Sequence, residues 1–368
     1  MKYTMNPAGC TTWDEWGIDA WQTILKILES GRWVRNKFHF REACRQARKF
    51  SKPALASCGF AQLPLRQRPP EGEEFANLVE GFLKDELLVA LEKEWRYPLI
   101  LKPARGAGSY YCRKVESKDE LLEIFDALDE RFRSEKKTPQ DDVSAGWILE
   151  EWFSGLEVDV DGWAKDGDVE WMLVSDNKAV LSHACCETGG VYPSQLPKDL
   201  VELLRELTRK VVLACPGLHS AFHFEALINP ESKEVMPIEL NLRLGGAECP
   251  CGVEAVTGIF LPLAAACLAL GQPFPWPVHC APKVKVAAST NEYASHAGIV
   301  EACEGSEELY ADPDFLGAAF FGTQGATYEP MRGSMSCLCW ICAGGGDASE
   351  AAENLQRCIS LCKLKVQL

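Results

Sequence analysis

Apolar positions along the chain change their spacing near residue 97, and this change predicts mixed α and β structure. Upstream, apolar residues such as Ile18, Trp21 and Leu25 recur at helical intervals, which predicts helices over 12–30, 36–50 and 75–95. Downstream, short apolar runs and alternating segments predict strands at 98–103, 111–115, 147–152, 156–164 and 170–175. Helical spacing returns at 117–133, 199–213, 253–270 and 348–361, whereas 182–197 has no clear period and is predicted to be one long loop.

Proline-rich segments divide the chain into three predicted regions. Residues 1–72 form a short N-terminal helical region that ends in a connector rich in proline. A second proline-rich stretch, 272–282, separates a central domain at 73–280 from a smaller C-terminal α/β lobe at 281–368. Within the central domain, 97–146 is predicted to be a smaller subdomain. The fold class is therefore α/β, or α+β, with more than one lobe.

Charge and composition exclude several classes of function. The chain has 38 Lys and Arg against 53 Asp and Glu, a net charge of −15, which argues against a nucleic-acid partner or an anionic membrane surface. Its 47% hydrophobic and 25% charged residues are ordinary globular values. The longest apolar stretch, 259–270, is about half of a bilayer span and contains Pro262. With no apolar signal region in MKYTMNPAGC, a cytoplasmic protein is expected.

The chain has 17 cysteines, which is a high and odd number. Cys249 and Cys251, and the group Cys337, Cys339 and Cys342, superficially resemble metal-binding motifs. Neither shows the separated pairs of C-x₂-C spacing that structural zinc sites use. Buried free thiols are the favoured interpretation, and a cysteine-rich metal-binding protein of unrelated fold is the alternative.

The most specific chemical signal lies between residues 221 and 243. His223 and Glu225 share one face of a predicted strand, and Glu239, Asn241 and Arg243 share one face of the next. The intervening turn places Glu225 opposite Glu239, where like charges repel each other. A divalent cation would remove that conflict, and an all-oxygen set suits Mg²⁺, while Arg243 is suited to bind a phosphate or carboxylate. A solvated hairpin face carrying ordinary charges is the alternative.

Two further segments carry weaker signals. Lys102 precedes the glycine-rich turn 105–109, which has the composition to hold phosphates with backbone N–H groups, although it is not a P-loop. The run 148–157 combines an apolar strand, a glycine and Glu157. A strand edge of this kind can bind adenine through its backbone, and a carboxylate can bind ribose hydroxyls. Taken singly, each segment is also explained by a plain hairpin.

The order of these segments resembles a known family. The runs "YPLILKPARGAGS", "ILEEWFSGLEVDV", "HFEALI" and "IELNLRLGG" together resemble the ATP-grasp superfamily, in particular carboxylate–amine ligases of the carnosine synthase and L-amino-acid ligase type. The likeness covers about 36–368 and includes the late segment "GGGDASEAAENLQRC". It implies an ATP-grasp fold in which two α+β subdomains grip ATP, with a reduced N-terminal region and a small C-terminal α/β lobe.

The resemblance also implies roles for individual residues. Lys37, Lys102 and the turn with Gly106, Gly108 and Ser109 would bind the nucleotide. The backbones of Glu150 and Phe153 would contact adenine, and Glu157 would bind the ribose. The metal would be held by Glu225, Glu239 and Asn241. The transferred phosphoryl group would be held by Arg243 and His223. Substrate contacts are expected from Glu187, Tyr192, Gly245 and Gly246.

The implied activity is an ATP- and Mg²⁺-dependent ligase, with Mn²⁺ as an alternative ion, that joins a carboxylate to an amine through an acyl phosphate. Its partners would be small amino-acid-like substrates rather than nucleic acid or membrane, and a homodimer is left open. Only 35 residues precede the position of the first lysine motif, and Tyr110 follows Ser109 where relatives often have glycine. A nucleotide-binding subunit or regulator with reduced catalysis is therefore the alternative function.

Overall fold

The structure is a computed structural model that describes residues 60–62, 97–103, 108–133, 147–179, 185–213, 215, 218–272, 281–330 and 333–368. The predicted helices at 12–30, 36–50 and 75–95 lie outside the described residues. So do Lys37 and Gly106.

A small antiparallel sheet forms the first layer. Its strands are β1 (Phe60–Gln62), β2 (Leu99–Pro103), β3 (Arg113–Val115) and β4 (Trp147–Glu151), in the order β1-β4-β2-β3. The helix α1 (Lys118–Arg133) follows β3, and it begins where predicted because the Ser117 hydroxyl accepts a hydrogen bond from the Glu120 amide at 3.2 Å. The predicted strands at 98–103 and 147–152 are confirmed.

An eight-stranded sheet dominates the structure. In chain order its strands are β5 (Leu156–Lys165), β6 (Asp168–Asn177), β7 (Gly190–Tyr192), β8 (Ser220–Ile228), β9 (Val235–Asn241), β10 (Val286–Glu292), β12 (Phe315–Phe320) and β14 (Cys339–Gly345). They lie in the order β12-β14-β10-β7-β6-β5-β8-β9 with every described pair antiparallel.

The two faces of this sheet differ because the side chains of β5 and β8 alternate. Helix α2 (Lys198–Leu213) packs on one face, where its buried leucines and valines meet Val158, Val160, Phe222 and Phe224. Burial of this apolar surface is the main stabilising contribution here. The other face is polar at one end, and at the other end Trp163 and Ala221 pack against the two following helices.

Those helices correct one prediction. The apolar run 253–270 was expected to form a single helix, but the structure has α3 (Cys249–Thr257) and α4 (Leu261–Ala269), bent by 100° relative to each other. Gly258 ends α3 in the left-handed conformation with φ 72°, and Pro262 lies in the first turn of α4. No single described helix is long and apolar enough to cross a membrane, although α3 and α4 reach that length and hydropathy when counted together.

The expectation of one unbroken loop over 182–197 is also wrong. Strand β7, only three residues long, lies between β6 and β10 in the middle of the sheet. Its neighbours therefore come from distant parts of the sequence, Asp176 on one side and Ala287 on the other. Its short length and its long-range pairing leave little local signal.

The C-terminal residues add strands to the large sheet and a small sheet of their own. Strands β11 (Gly298–Gly305), β13 (Thr327–Tyr328) and β15 (Cys362–Gln367) form the order β13-β11-β15, with the short helix α5 (Glu307–Ala311) after β11. Helix α6 (Ala348–Ser360) begins at Asp347, whose side chain accepts from the Glu350 amide. Because β10, β12 and β14 belong to the eight-stranded sheet, sheet pairing crosses the predicted boundary at 280/281.

Candidate active site

The polar face of the large sheet is built from alternate residues of β5 and β8. Glu157, Asp159 and Asp161 occupy successive positions of one face of β5, and the intervening valines point to the opposite core. In the register of the two strands, Asp159 lies opposite Glu225 and Asp161 opposite His223. Strand pairing therefore collects these five ionisable side chains on one surface.

The next strand adds the predicted oxygen ligands. Glu225 pairs with Glu239 across β8 and β9, so the predicted register is confirmed. The Asn241 amide nitrogen donates to Oε1 of Glu239 at 2.8 Å and to Oε1 of Glu225 at 3.3 Å. The amide thus lies beside both carboxylates, and rotating it by half a turn would present its carbonyl oxygen instead. Two carboxylates and one amide oxygen are a donor set that fits Mg²⁺.

A second group of carboxylates meets the same surface. Oxygen atoms of Glu157, Glu187 and Glu225 all lie within 4.8 Å of one another. Burial, followed by the charges of Glu225 and Asp159, raises the pKa of Glu157 to about 8. Burial and the same two charges also raise the pKa of Glu187 well above its usual value. So many acids in a poorly solvated place favour a cation or a cationic substrate group.

These shifts predict that metal-free protein loses stability as the pH rises. The pKa of Glu157 is 4.5 unfolded and about 8 folded, and that of Asp159 is 3.8 unfolded and about 7 folded. Between these values the folded state binds more protons, so the free energy of unfolding decreases as the pH rises. Thermal unfolding in chelator should show a lower midpoint at pH 8.5 than at pH 5.5.

Glu157→Gln provides the matched variant for this experiment, since it removes one titrating group from the surface. Its unfolding midpoint should depend less steeply on pH than that of the wild type. A wild-type midpoint that rises across the same interval would contradict the argument.

His223 and Arg243 are the basic groups on this face. The His223 Nδ1 atom is 3.0 Å from Oδ1 of Asp161, and its Nε2 atom is 3.5 Å from Oε1 of Glu225. Burial lowers the pKa of His223, but Asp161 and Asp159 outweigh burial and raise it well above its usual value. The Arg243 guanidinium donates to the Leu244 carbonyl at 2.8 Å, and its charge lowers the pKa of Glu225. Both side chains thus offset part of the negative charge.

The small sheet supplies the predicted nucleotide-binding lysine. Lys102 on β2 forms an ion pair with Glu150 on β4, with Nζ and Oε2 separated by 2.6 Å. The Cys112 thiol lies within electrostatic reach of both Lys102 and Glu239. Residues of both sheets therefore lie near this thiol. Phe153, which follows β4, is half-buried.

The predicted phosphate turn contacts the C-terminal part of the chain. Gly108 and Ser109 have φ values of 56° and 53°, and the Ser109 carbonyl accepts from the Cys112 amide at 3.0 Å. The Gly108 carbonyl accepts a hydrogen bond from the Ser334 amide at 2.8 Å. The turn is therefore held against 333–334.

The remaining predicted substrate residues have different surroundings. Tyr192 is 1% exposed, and its hydroxyl donates to Sγ of Cys249 at 3.5 Å, so a direct substrate contact stays a prediction for this residue. Gly245 is buried directly beside Asp161 and His223, whereas Gly246 is exposed. Only the first of the two glycines is tightly surrounded.

Sequence reasoning missed several residues of the site. Asp159 and Asp161 were present as the alternating run "EVDVD" on β5, a signal that a period-two reading of that strand would have found. Glu248 gave no such signal. It is buried at the start of α3 and accepts a hydrogen bond from the Ser289 hydroxyl at 3.0 Å, a contact between segments far apart in sequence.

Comparison with known families connects this geometry with a fold. Residues 95–251, which include both sheets' polar residues from Lys102 to Glu248, match the family model of the ATP-grasp domain. This matching stretch is less than half of the chain. The chain is also 29% identical over 277 residues to carnosine synthase 1 of Gallus gallus. The aligned region covers 72% of this chain and 28% of that protein. The chain thus spans less than a third of this relative.

Solved structures show the same fold. The chain superimposes on an L-amino acid ligase from Bacillus licheniformis with a TM-score of 0.64 and 19% identity, and the match covers 76% of this chain and 67% of that one. Superposition on phosphoribosylglycinamide synthetase from Anaerococcus prevotii gives a TM-score of 0.61 at 16% identity, and the match covers 99% of this chain and 84% of that one. At these identities the likeness establishes the fold alone. The ATP-grasp fold implied by the sequence is confirmed.

Proposed function

We propose that this protein is an ATP-dependent ligase that joins the carboxylate of one small molecule to the amine of another, with amino acids as the substrate class. The observation that supports the proposal most directly is the paired Glu225 and Glu239 with Asn241 between them. This oxygen set lies on the polar face of an ATP-grasp domain and across from Lys102.

The nucleotide is proposed to lie between the two sheets. Lys102 would exchange its ion pair with Glu150 for the phosphates, and the turn at Gly108 and Ser109 would cover them. The Glu150 and Phe153 backbones would hold adenine, and Glu157 the ribose hydroxyls. Mg²⁺, or Mn²⁺, held by the oxygen set at Glu225, would screen the charge of the triphosphate when bound.

The proposed reaction has two steps. An oxygen of the substrate carboxylate forms a bond to the γ-phosphorus of ATP while the bond to the β,γ-bridging oxygen breaks, which gives an acyl phosphate and ADP. The amine nitrogen then attacks the acyl carbon, loses a proton and expels phosphate, which leaves an amide. Arg243 and His223 would hold the transferred group, because fixed positive charge stabilises phosphoryl oxygens in a poorly solvated site.

Glu187 is the proposed contact for the substrate ammonium group. Its carboxylate lies with those of Glu157 and Glu225, and its side chain is half-buried. A charged ammonium would compensate the crowded acids there. This proposal fits the substrate class of the ligase.

The experiment is a screen of amino-acid pairs for ATP-dependent phosphate release, with the product identified by mass spectrometry. The expected result is ADP and phosphate in equal amounts, and an amide whose mass equals the sum of both substrates less one water. Tight ATP binding without product from any carboxylate and amine pair would contradict the proposal and favour a nucleotide-binding regulator.

Lys102→Gln should raise the KM for ATP about tenfold or more, since a charge-assisted contact to phosphate contributes roughly 1.5 to 3 kcal/mol. Lys114→Gln is the matched control. Lys114 lies on the neighbouring strand of the same sheet, pairs with Glu116 at 2.7 Å and contacts the Trp152 ring. Steady-state kinetics of both variants test the assignment, and equal effects of the two substitutions would count against Lys102 as a phosphate ligand.

A further inference from the structure

A second group of side chains that could bind a metal ion lies beside the proposed magnesium ligands. Asp159 on β5, His223 on β8 and Cys249 at the start of α3 each provide one donor atom, and the three atoms lie within 4.8 Å of one another. Their exposed fractions are 4%, 4% and 7%. Three elements of the fold thus bring an oxygen, a nitrogen and a sulfur donor together in the interior.

Neighbouring groups hold these donors in place. The Asn177 amide donates to Oδ1 of Asp159 at 3.0 Å, and Oδ1 of Asp161 lies 3.0 Å from Nδ1 of His223. The atoms left over, Oδ2 of Asp159 and Nε2 of His223, are 3.9 Å apart. A carboxylate bound to the far nitrogen is the usual arrangement that orients a metal-binding histidine.

The carboxylate of Asp161 adds further negative charge beside these donors. Oδ2 of Asp161 is buried and has no hydrogen-bond partner, although this side chain is only 1% exposed. An ideal Cβ placed on Gly245 would contact Oδ1 of Asp161, Nδ1 of His223 and Cβ of Cys249, so these three side chains meet beside Gly245. A buried carboxylate oxygen without a partner is costly unless positive charge lies nearby.

We propose that Asp159, His223 and Cys249 form a binding site for a thiophilic divalent cation of the Zn²⁺ class. Thiolate, imidazole and carboxylate are the ligands of such ions, whereas Mg²⁺ prefers oxygen alone. Bond lengths of about 2.0 to 2.3 Å would place the ligand atoms roughly 3.3 to 3.7 Å apart, so only a small contraction of the group is needed. Binding replaces the thiol proton of Cys249, which leaves to solvent as the sulfur–metal bond forms.

This site is chemically distinct from the proposed magnesium ligands, although the two are neighbours. Glu225, at 3.5 Å from His223 Nε2, belongs to the oxygen set, and Cys249 does not. Three protein ligands leave a fourth position for water or a substrate group. A metal-bound His223 is a neutral ligand, so it would not also carry the positive charge proposed for the transferred phosphoryl group, and that role would then fall to Arg243 and the bound cation. Metal binding is measured without ATP or substrates, so its outcome can be distinguished from that of the proposed ligase activity.

Cobalt(II) is the probe, because a thiolate bound to Co²⁺ gives an intense charge-transfer absorption in the near ultraviolet. The first equivalent of Co²⁺ added to reduced, metal-stripped protein should produce this band, and one equivalent of Zn²⁺ should abolish it while a large excess of Mg²⁺ should not. Cys249→Ser should remove the band. Cys251→Ser, two residues along the same helix, is the matched control and should retain it.

Two further variants keep the test decisive if Cys249→Ser is poorly folded. Asp159→Asn and His223→Gln should each weaken Co²⁺ binding at least tenfold, and Glu239→Gln should leave the band intact even though it is expected to abolish turnover. Absence of the band in the wild type, or its persistence in folded Cys249→Ser, would overturn the proposal, the latter by assigning the metal to other thiols of the chain.

Discussion

Replacing Glu239 with glutamine is expected to lower ATP turnover by about a thousandfold or more while the protein remains folded. Glutamine keeps an oxygen that can accept the hydrogen bond from the Asn241 amide, but it removes one of the two charges proposed to hold the metal. A metal-assisted phosphoryl transfer derives several kcal/mol of transition-state stabilisation from that charge, and roughly 4 kcal/mol corresponds to a thousandfold change in rate.

The same substitution should not destabilise metal-free protein. The charge of Glu239 raises the pKa of Glu225 through repulsion between the paired carboxylates, and a neutral side chain relieves this repulsion. The unfolding midpoint of Glu239→Gln in chelator should therefore equal or exceed that of the wild type. Activity and stability should thus change in different directions, which a simple loss of folding would not produce.

Glu231→Gln is the control for this experiment. Glu231 lies in the turn between the two strands and is exposed to solvent, so its charge has no part in the acidic face. Phosphate release and thermal unfolding, measured on both variants with the same amino-acid pair, give the comparison. Near-normal turnover in Glu239→Gln would remove the metal assignment, and a large drop in its unfolding midpoint would contradict the account of repulsion.

The part of the site that sequence reasoning predicted well is the part built from local structure. Glu225 and Glu239 belong to adjacent strands joined by a short turn, so strand period and turn position together fix their register. The observed pairing agrees with that expectation. The helix at 348–361 was also predicted from local spacing, and in the structure Asp347 caps it.

The site residues that could not be predicted from the sequence alone are those brought together by long-range strand pairing and helix packing. Asp159 and Asp161 reach His223 only because β5 pairs with β8, and more than fifty residues separate these strands. Cys249 joins them from a helix whose position depends on the packing of α3 against the sheet. Sequence reasoning therefore treated the cysteines as plain buried thiols, and only the three-dimensional arrangement brings one of them next to a histidine and an aspartate.

The second large effect is expected from Gly245→Ala. A Cβ at this position would lie 2.6 Å from Cβ of Cys249, 2.7 Å from Oδ1 of Asp161 and 2.9 Å from Nδ1 of His223. All three atoms belong to side chains that are 7% exposed or less, so the surrounding packing restricts their movement. The added methyl group must therefore displace the hydrogen-bonded pair of Asp161 and His223, at a cost of about 1 to 3 kcal/mol in the free energy of unfolding.

The displacement should also affect catalysis. Moving His223 shifts its Nε2 atom relative to Glu225, 3.5 Å away, and a displacement near 1 Å in a reacting group can lower the rate about a hundredfold. Gly245→Ala should therefore show both a lower midpoint in urea and a turnover roughly a hundredfold below the wild type. The KM for ATP should change less, since Lys102 and the phosphate turn are not moved.

Gly246→Ala provides the control one residue away. No atom lies within 4 Å of a Cβ added there, and the position is exposed, so the free energy of unfolding should change by less than about 0.5 kcal/mol. Because both variants add one methyl group to the same loop, general effects of replacing glycine cancel in the comparison. If the two substitutions changed the free energy of unfolding equally little, the space around Asp161 and His223 would be more adaptable than the close contacts at Gly245 indicate. The pair of Asp161 and His223 would then not be a rigid support of the site.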